Sequence, residues 1–380
     1  MKILHLTSHL NVGGVSSHIL SLSAALTQRG HICRIASEGG QLESEAAAMG
    51  LTHWPVPLHT SMEFSPQVLS GAWELADRLS SHGVDVLHAH TRVGQVVAGF
   101  LARRLRIPYV ATWHGFFRPN LGRTLWPCTG DLTIAVSEPV REHLRRDFGV
   151  PEQRIRLIPH GIDTEVFSAP VEPARQQQLR TLAGIPPQAR VIGTVARLVA
   201  SKGVDQLIHS LALIRPAMPD AHLLIVGDGE ERGRLQELAV SLKLADVVHF
   251  AGALPHTRTA LSLMQVFVFL PAAEEGFGLS LLEAMASGRP VVAVRRGGGA
   301  SWLLREIGVG TQVEPGDAAG MAHAITQLLR NGEQACRSAG VARAVVTERY
   351  AIGRMVESVE AVYRDVIRGV TLEDGGNSRT

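Results

Sequence analysis

Short apolar runs alternate with longer amphipathic stretches along most of the 380-residue chain. The runs at residues 2–8, 31–37, 52–56, 84–90, 108–113, 132–136 and 156–158 read as strands. Helical spacing marks residues 15–29, 66–79, 93–104 and 138–148, and in the first of these Ile19, Leu20, Leu22 and Leu26 share the inner side. Such alternation predicts a parallel sheet with helices on both faces. The pattern lapses at residues 163–184, a polar stretch dotted with proline that reads as a linker and a short helix. A second series of strands follows at 191–196, 222–226, 247–250, 266–270, 291–294 and 310–313. The predicted fold class is α/β, with two doubly wound domains, residues 1–165 and 166–350, facing across a cleft. A last helix, about residues 352–370, has no strand to follow and is expected to cross back onto the first domain.

One stretch concentrates candidate chemistry. Residues 274–290, EEGFGLSLLEAMASGRP, join a glycine turn to a helix start. The amides of Gly276, Phe277, Gly278 and Leu279 fall at that helix N-terminus, where N–H groups lack intrahelical partners and the macrodipole is positive. This favours an anion such as phosphate. Glu283 follows Leu279 by four residues, and helical side chains lean toward the N-terminus, so its carboxylate suits hydroxyls beside that phosphate. The bland alternative is that Glu275 and Glu283 only complement the dipole on a solvated face.

Other strand ends extend the picture. Arg197 ends a strand and Lys202 is expected to open the next helix, on the same sheet edge as the glycine turn; together they suit a diphosphate. Gly227, Asp228 and Gly229 form a second turn, expected near a nucleotide base. Its spacing to Gly233 is one residue too long for the dinucleotide fingerprint, although Asp246 keeps a dehydrogenase as an alternative. Gly13 and Gly14 lie at the first strand-to-helix junction, the usual ligand position in an open α/β sheet. His114 follows a strand and precedes a glycine, which suits a polar substrate contact; His88 and His90 are weaker candidates.

Composition narrows the classes. Lys and Arg total 37 against 35 Asp and Glu, so the net charge of +2 gives no case for nucleic acid. Cys33, Cys128 and Cys336 lack metal-ligand spacing and fit a reducing, cytoplasmic setting. No His, Cys or carboxylate cluster shows metal spacing, so neither a metal nor another cofactor is expected. Residues 86–130 contain no acid but include Arg92, Arg103, Arg104, Arg106, Arg118 and Arg123. The helix at 138–148 adds Arg141, Arg145 and Arg146, and such a face would attract an anionic acceptor or allow peripheral contact with an anionic membrane at its inner face. Oligomeric state is not encoded in any feature of the sequence.

Several of these segments together resemble the retaining glycosyltransferases of the GT-B fold, in the family 4 group of glycogen synthase-like and lipid-glycosylating enzymes. They are the turn at Gly13 and Gly14, WHG ending at Gly115, AVSE ending at Glu138, IPHGID ending at Asp163, RLVASKG from Arg197, VGDGEE from Val226, and the E-x7-E element from Glu275 to Glu283. The resemblance implies two Rossmann-like domains and transfer of a sugar from a nucleotide-sugar donor, UDP-sugar foremost, to an envelope glycan or glycolipid acceptor. It further implies that Arg197 and Lys202 hold the diphosphate, Glu283 the ribose, and Glu275 with the following amides the donor sugar. His114 would contact that sugar and Gly14 abut the phosphates. A UDP-sugar isomerase (epimerase) of the same fold and a non-catalytic nucleotide-sugar-binding protein are the alternatives. His160 stands where the family commonly has Asn, and the segment from Gly297 to Ser301 lacks a Glu that often follows its glycine pair.

Overall fold

A computed structural model describes the chain apart from residues 59, 61–64, 120, 272–274, 309 and 370–380. Glu274, the first residue of the acidic glycine turn, therefore lies outside the described residues. The chain divides into two compact units, Met1–Gly161 joined by the segment from Ile352, and Ile162–Ala351.

The first unit carries seven parallel strands: β1 (Lys2–Leu6), β2 (Ile32–Ser37), β3 (Thr52–Pro55), β4 (Val86–Ala89), β5 (Tyr109–Trp113), β6 (Leu132–Ala135) and β7 (Ile155–Leu157). Their order is β3-β2-β1-β4-β5-β6-β7, so the winding direction reverses between β1 and β4. In that pairing His5 lies opposite His88. The helix Gly14–Gln28 leaves the end of β1 and buries Ile19, Leu20, Leu22 and Leu26. The helix Ile352–Ile367 packs on the same core through Met355, Val356, Val359, Val362, Tyr363 and Val366, a spacing that keeps all six on one face. Each such side chain contributes roughly 1.5–3 kcal/mol when fully buried. Among these apolar residues Glu360 is itself buried, accepting hydrogen bonds from Arg29 Nε at 2.8 Å, Arg29 Nη2 at 3.1 Å and His31 Nε2 at 2.9 Å. These bonds hold its carboxyl down at about 2.

The second unit carries six parallel strands: β8 (Arg190–Val195), β9 (Ala221–Val226), β10 (Val248–Gly252), β11 (Met264–Phe269), β12 (Val291–Val294) and β13 (Thr311–Val313). Their order, β10-β9-β8-β11-β12-β13, reverses between β8 and β11, and a crevice therefore opens at the C-terminal ends of those two strands. Val266, Val268, Leu223, Ile225, Val292 and Val294 form the sheet's share of one core. The polar stretch after Asp163 contains two helices, Thr164–Ser168 and Pro173–Ala183. Pro173 sits in the first turn of the latter, where its missing N–H costs nothing, and Gly184 ends it in the left-handed region at φ 69°. Lys202 closes a 3-10 turn, Ala200–Lys202, and the helix Val204–Ile214 starts only after Gly203, so Lys202 is a loop residue and not the helix opening the spacing suggests.

Candidate functional site

In the second unit the chemistry gathers where β8, β11 and β12 end. Past Val195 the chain exposes Arg197, then turns at Gly203, φ 65°, to bring the Lys202 side chain inward. The Lys202 ammonium forms a close ion pair with a carboxylate oxygen of Glu275, both groups being largely shielded from water. The Glu275 carbonyl in turn accepts the Gly299 amide at 3.0 Å, fastening this loop to the start of the helix Gly298–Ile307. A further cation joins them: Arg296 Nη1 donates to the Ser201 carbonyl at 3.0 Å. The sequence signal for it was available, since two arginines follow the apolar run VVAV of β12.

The helix Leu279–Ala286 begins at Gly278, whose φ of 115° only glycine adopts readily. A Cβ there would also stand 2.8 Å from the Phe269 ring. Phe277 is 2% exposed and packs near the rings of Trp302 and Tyr350, so its side chain anchors the turn while its backbone belongs to the helix entry. Glu283 accepts a hydrogen bond from Thr257 Oγ1 at 2.8 Å. Burial pushes its carboxyl above the usual range and the Thr257 hydrogen bond opposes that. No motif pointed to Thr257; it reaches Glu283 only through the fold.

The turn at Gly227 has a packing explanation. A Cβ on Gly227 would lie 1.8 Å from the Ala196 carbonyl oxygen, and one on Gly229 would lie 2.3 Å from that of Leu198. The two loops are stitched by Leu198 N to Asp228 O at 2.9 Å and Glu231 N to Leu198 O at 3.0 Å. These glycines therefore let the second loop support the backbone that carries Arg197. Gly13 in the first unit differs: a Cβ there meets nothing within 4 Å, and Gly14 beside it is exposed. Packing within the protein places no demand for glycine at position 13.

His114 lies at the end of β5 within a group of histidines. Its Nε2 is 3.2 Å from His90 Nδ1 and its Nδ1 is 3.2 Å from His160 Nε2. His90 Nε2 is in turn 3.0 Å from His5 Nδ1. Four rings thus form a continuous chain in which both nitrogens of His114 face other imidazoles. His88 sits alongside, bonded to the Tyr363 hydroxyl at 2.6 Å and Thr112 Oγ1 at 2.7 Å, and the His18 ring lies 4.3 Å from that of His160. Burial keeps all six imidazoles neutral, depressing His5 and His18 to about 3 and the other four well below the ordinary histidine range. Linear spacing showed no such cluster, because its members come from β1, the helix after it, β4 and the loops after β4, β5 and β7. His160, notable in sequence only for replacing Asn, is the partner of His114.

The basic helix at Glu138–Phe148 is electrically balanced in the fold. Arg141 pairs with Glu138 at 2.8 Å, Arg145 with Glu142 at 3.2 Å and Glu152 at 3.0 Å, and Arg146 lies 3.8 Å from Glu142. In the acid-free stretch, Arg92 is buried and donates to the carbonyls of Trp126 and Pro127, while Arg104 lies 4.2 Å from the Trp73 ring centre. Among the described residues no helix is long and apolar enough to cross a membrane.

Two doubly wound units, the second with cations, a glycine turn and a carboxylate-bearing helix at its switch point, define a glycosyltransferase of the GT-B architecture. Comparison with known proteins fixes the family. Residues 12–166 match the model for Glycosyltransferase Family 4 and residues 176–343 that for Glycosyl transferases group 1. The phosphatidyl-myo-inositol mannosyltransferase of Mycobacterium leprae is 30% identical over 342 residues, covering 84% of each chain. The N-acetyl-alpha-D-glucosaminyl L-malate synthase of Bacillus anthracis is 26% identical, covering 96% of this chain and 97% of that one. Anabaena HepE, solved in complex with UDP and glucose, superposes with a TM-score of 0.80 at 21% identity, over 96% of this chain and 99% of that one. The chain belongs to glycosyltransferase family 4, and it is an enzyme of the glycosyl-transferring class.

Proposed function

We propose that the protein moves a sugar from a UDP-sugar to a glycan or glycolipid of the cell envelope, with retention of anomeric configuration and with fixed protein charges in place of a metal at the diphosphate. The observation that carries this reading is the Lys202–Glu275 ion pair beside Arg197 and the glycine-capped helix at the C-terminal edge of the second sheet. A diphosphate brings about two negative charges, and Arg197 and Lys202 supply two positive ones, of which Glu275 offsets one. As the glycosidic C–O bond to the diphosphate breaks, negative charge grows on the departing phosphate oxygen, and preorganised cations and helix-terminal amides stabilise it without reorganising. The acceptor hydroxyl forms the new C–O bond on the face being vacated, and its proton passes to the departing phosphate. No protein nucleophile enters this scheme.

Glu275 has two tasks here. One oxygen holds the Lys202 ammonium in position before the donor arrives, and the other is available to hydroxyls of the donor sugar. Glu283 accepts from the ribose hydroxyls, Gly276, Phe277, Gly278 and Leu279 supply backbone contacts, and the Gly227 turn borders the base. From the first unit, which takes the acceptor, we assign Gly13 and Gly14 to the phosphates and His114 to the sugar; the open space at Gly13 supports the former. The donor assignment draws support from the UDP and glucose in the HepE complex, and the acceptor class from the lipid named in the mycobacterial relative. The setting is cytoplasmic, consistent with three free cysteines.

The test is transfer from a panel of nucleotide-sugars into membrane and glycan extracts, with products identified by mass spectrometry. Arg197→Ala, Lys202→Ala and Glu283→Ala should each cut transfer by about a hundredfold or more and leave the fold intact. Normal turnover by all three would sink the assignment, and donor consumption that needs no acceptor would replace it with isomerisation.

A further inference from the structure

We propose that His18, His90 and His114 form a binding site in the first unit for a divalent transition-metal ion of the zinc type. One ring nitrogen from each of the three lies within 4.8 Å of the others. The His18 ring is 5% exposed, and its Nδ1 is buried with no hydrogen-bond partner, a vacancy that a metal would satisfy. His90 is 2% exposed, whereas His114 is only partly buried and provides the route of entry. His90 Nδ1 and His114 Nε2 stand 3.2 Å apart. Two imidazole nitrogens about 2.0–2.1 Å from one tetrahedral zinc lie about 3.3 Å apart, so an ion can replace the proton they share with little movement.

The surroundings fit the same reading. His114 Nδ1 faces His160 Nε2 and His90 Nε2 faces His5 Nδ1, so both ligands have an outer partner to fix ring orientation and tautomer. The site offers imidazole and no carboxylate, a donor set for zinc, cobalt, nickel or copper and not for magnesium or calcium. A second triad, His5, His88 and His90, shares His90, but His88 is fully buried with both nitrogens held by Tyr363 and Thr112. An ion there would have to break one of two short hydrogen bonds, which leaves the triad at His18 as the site. Loading commits both nitrogens of His114, so the metal-bound protein should lose transfer; that consequence rests on the sugar contact proposed for His114, and the binding measurement does not.

The experiment titrates the metal-free full-length protein with Zn2+ against a chromophoric chelator, and separately with Co2+ followed by visible absorption. The expected result is one ion per chain, with the visible bands of four-coordinate cobalt. His18→Ala and His90→Ala should weaken binding by more than about a hundredfold, beyond the 10–100-fold typical of an outer partner such as His160. The double variant His222→Ala/His249→Ala, which removes the stacked pair of the second unit at 2.9 Å, should bind like the native protein. If His18→Ala does not fold, His18→Gln takes its place, and the cobalt spectrum of the native protein is read without any variant. Absence of stoichiometric binding, a cobalt spectrum of the six-coordinate type, or native affinity in the His18 variant would overturn the proposal.

Discussion

The strand-end site of the second unit and the histidine group of the first are both polar constructions, yet they are assembled in opposite ways. In the second unit the polar groups are charged and drawn mostly from short local segments, with Lys202 five residues from Arg197 and Glu283 eight from Glu275. The histidine group is neutral, buried at five of its six members, and gathered from residues 5 to 160 by strands, a helix and the loops that follow the strands. Charges on one loop or one helix can be spaced by local geometry and matched by a partner such as the Lys202–Glu275 pair. Buried imidazoles are held mostly through partners on distant segments, which makes their positions a property of the tertiary fold.

The two regions should fail differently. On the proposed role of Lys202 at the departing diphosphate, Lys202→Ala should lower kcat by about 10²–10³ while the fold stays intact. Equal loss of kcat and of thermal stability would blur the contrast. Gly227→Ala comes next: the Ala196 carbonyl must move to admit its Cβ, and a melting temperature lowered by several degrees is expected, with loss of donor affinity following the displaced Arg197 loop. Gly13→Ala is the matched control, since its φ of 164° is open to any residue and its Cβ meets no atom; unfolding should stay within about 0.5 kcal/mol of native while kcat/KM falls.

His160→Ala should act on stability first. It leaves the Nδ1 of His114 without its partner, a cost of about 1–3 kcal/mol by calorimetry. His160→Asn, which restores a polar partner, should recover much of it. A pH-dependent effect concerns Glu360. Its carboxyl titrates at about 2 in the fold and near the ordinary carboxyl value when unfolded, so its contribution is complete above about 4.5 and is lost as pH falls toward 2. Melting curves of Glu360→Gln and native protein should therefore differ at pH 7 and converge near pH 2.

What could be read in sequence follows the same division. The succession of strands and helices along the chain rests on local periodicity, and elements such as Glu138–Phe148 and Val291–Val294 lie where the pattern puts them. The Lys202 turn was misjudged by a few residues because a 3-10 turn and a helix start share the same residue types. Thr257 beneath Glu283, Arg296 against Ser201 and the histidine chain were not found, since each depends on contacts between distant segments. At Arg141, Arg145 and Arg146 the ion pairs to Glu138, Glu142 and Glu152 could not be read from composition, although glutamates three or four residues away are positioned to return the charge within one helix. The close approach of Gly227 and Gly229 to the Ala196 and Leu198 carbonyls, which gives both positions a packing demand for glycine, was likewise not legible in sequence.

The central claim is that the second unit holds a nucleoside diphosphate through protein cations. Calorimetric titration of UDP into the full-length protein in the presence of EDTA tests it most directly. The account predicts saturable binding of one UDP per chain, weakened at least tenfold by Lys202→Ala, which corresponds to about 1.4 kcal/mol. Binding that vanishes with EDTA, or that is the same in Lys202→Ala and native protein, would contradict it.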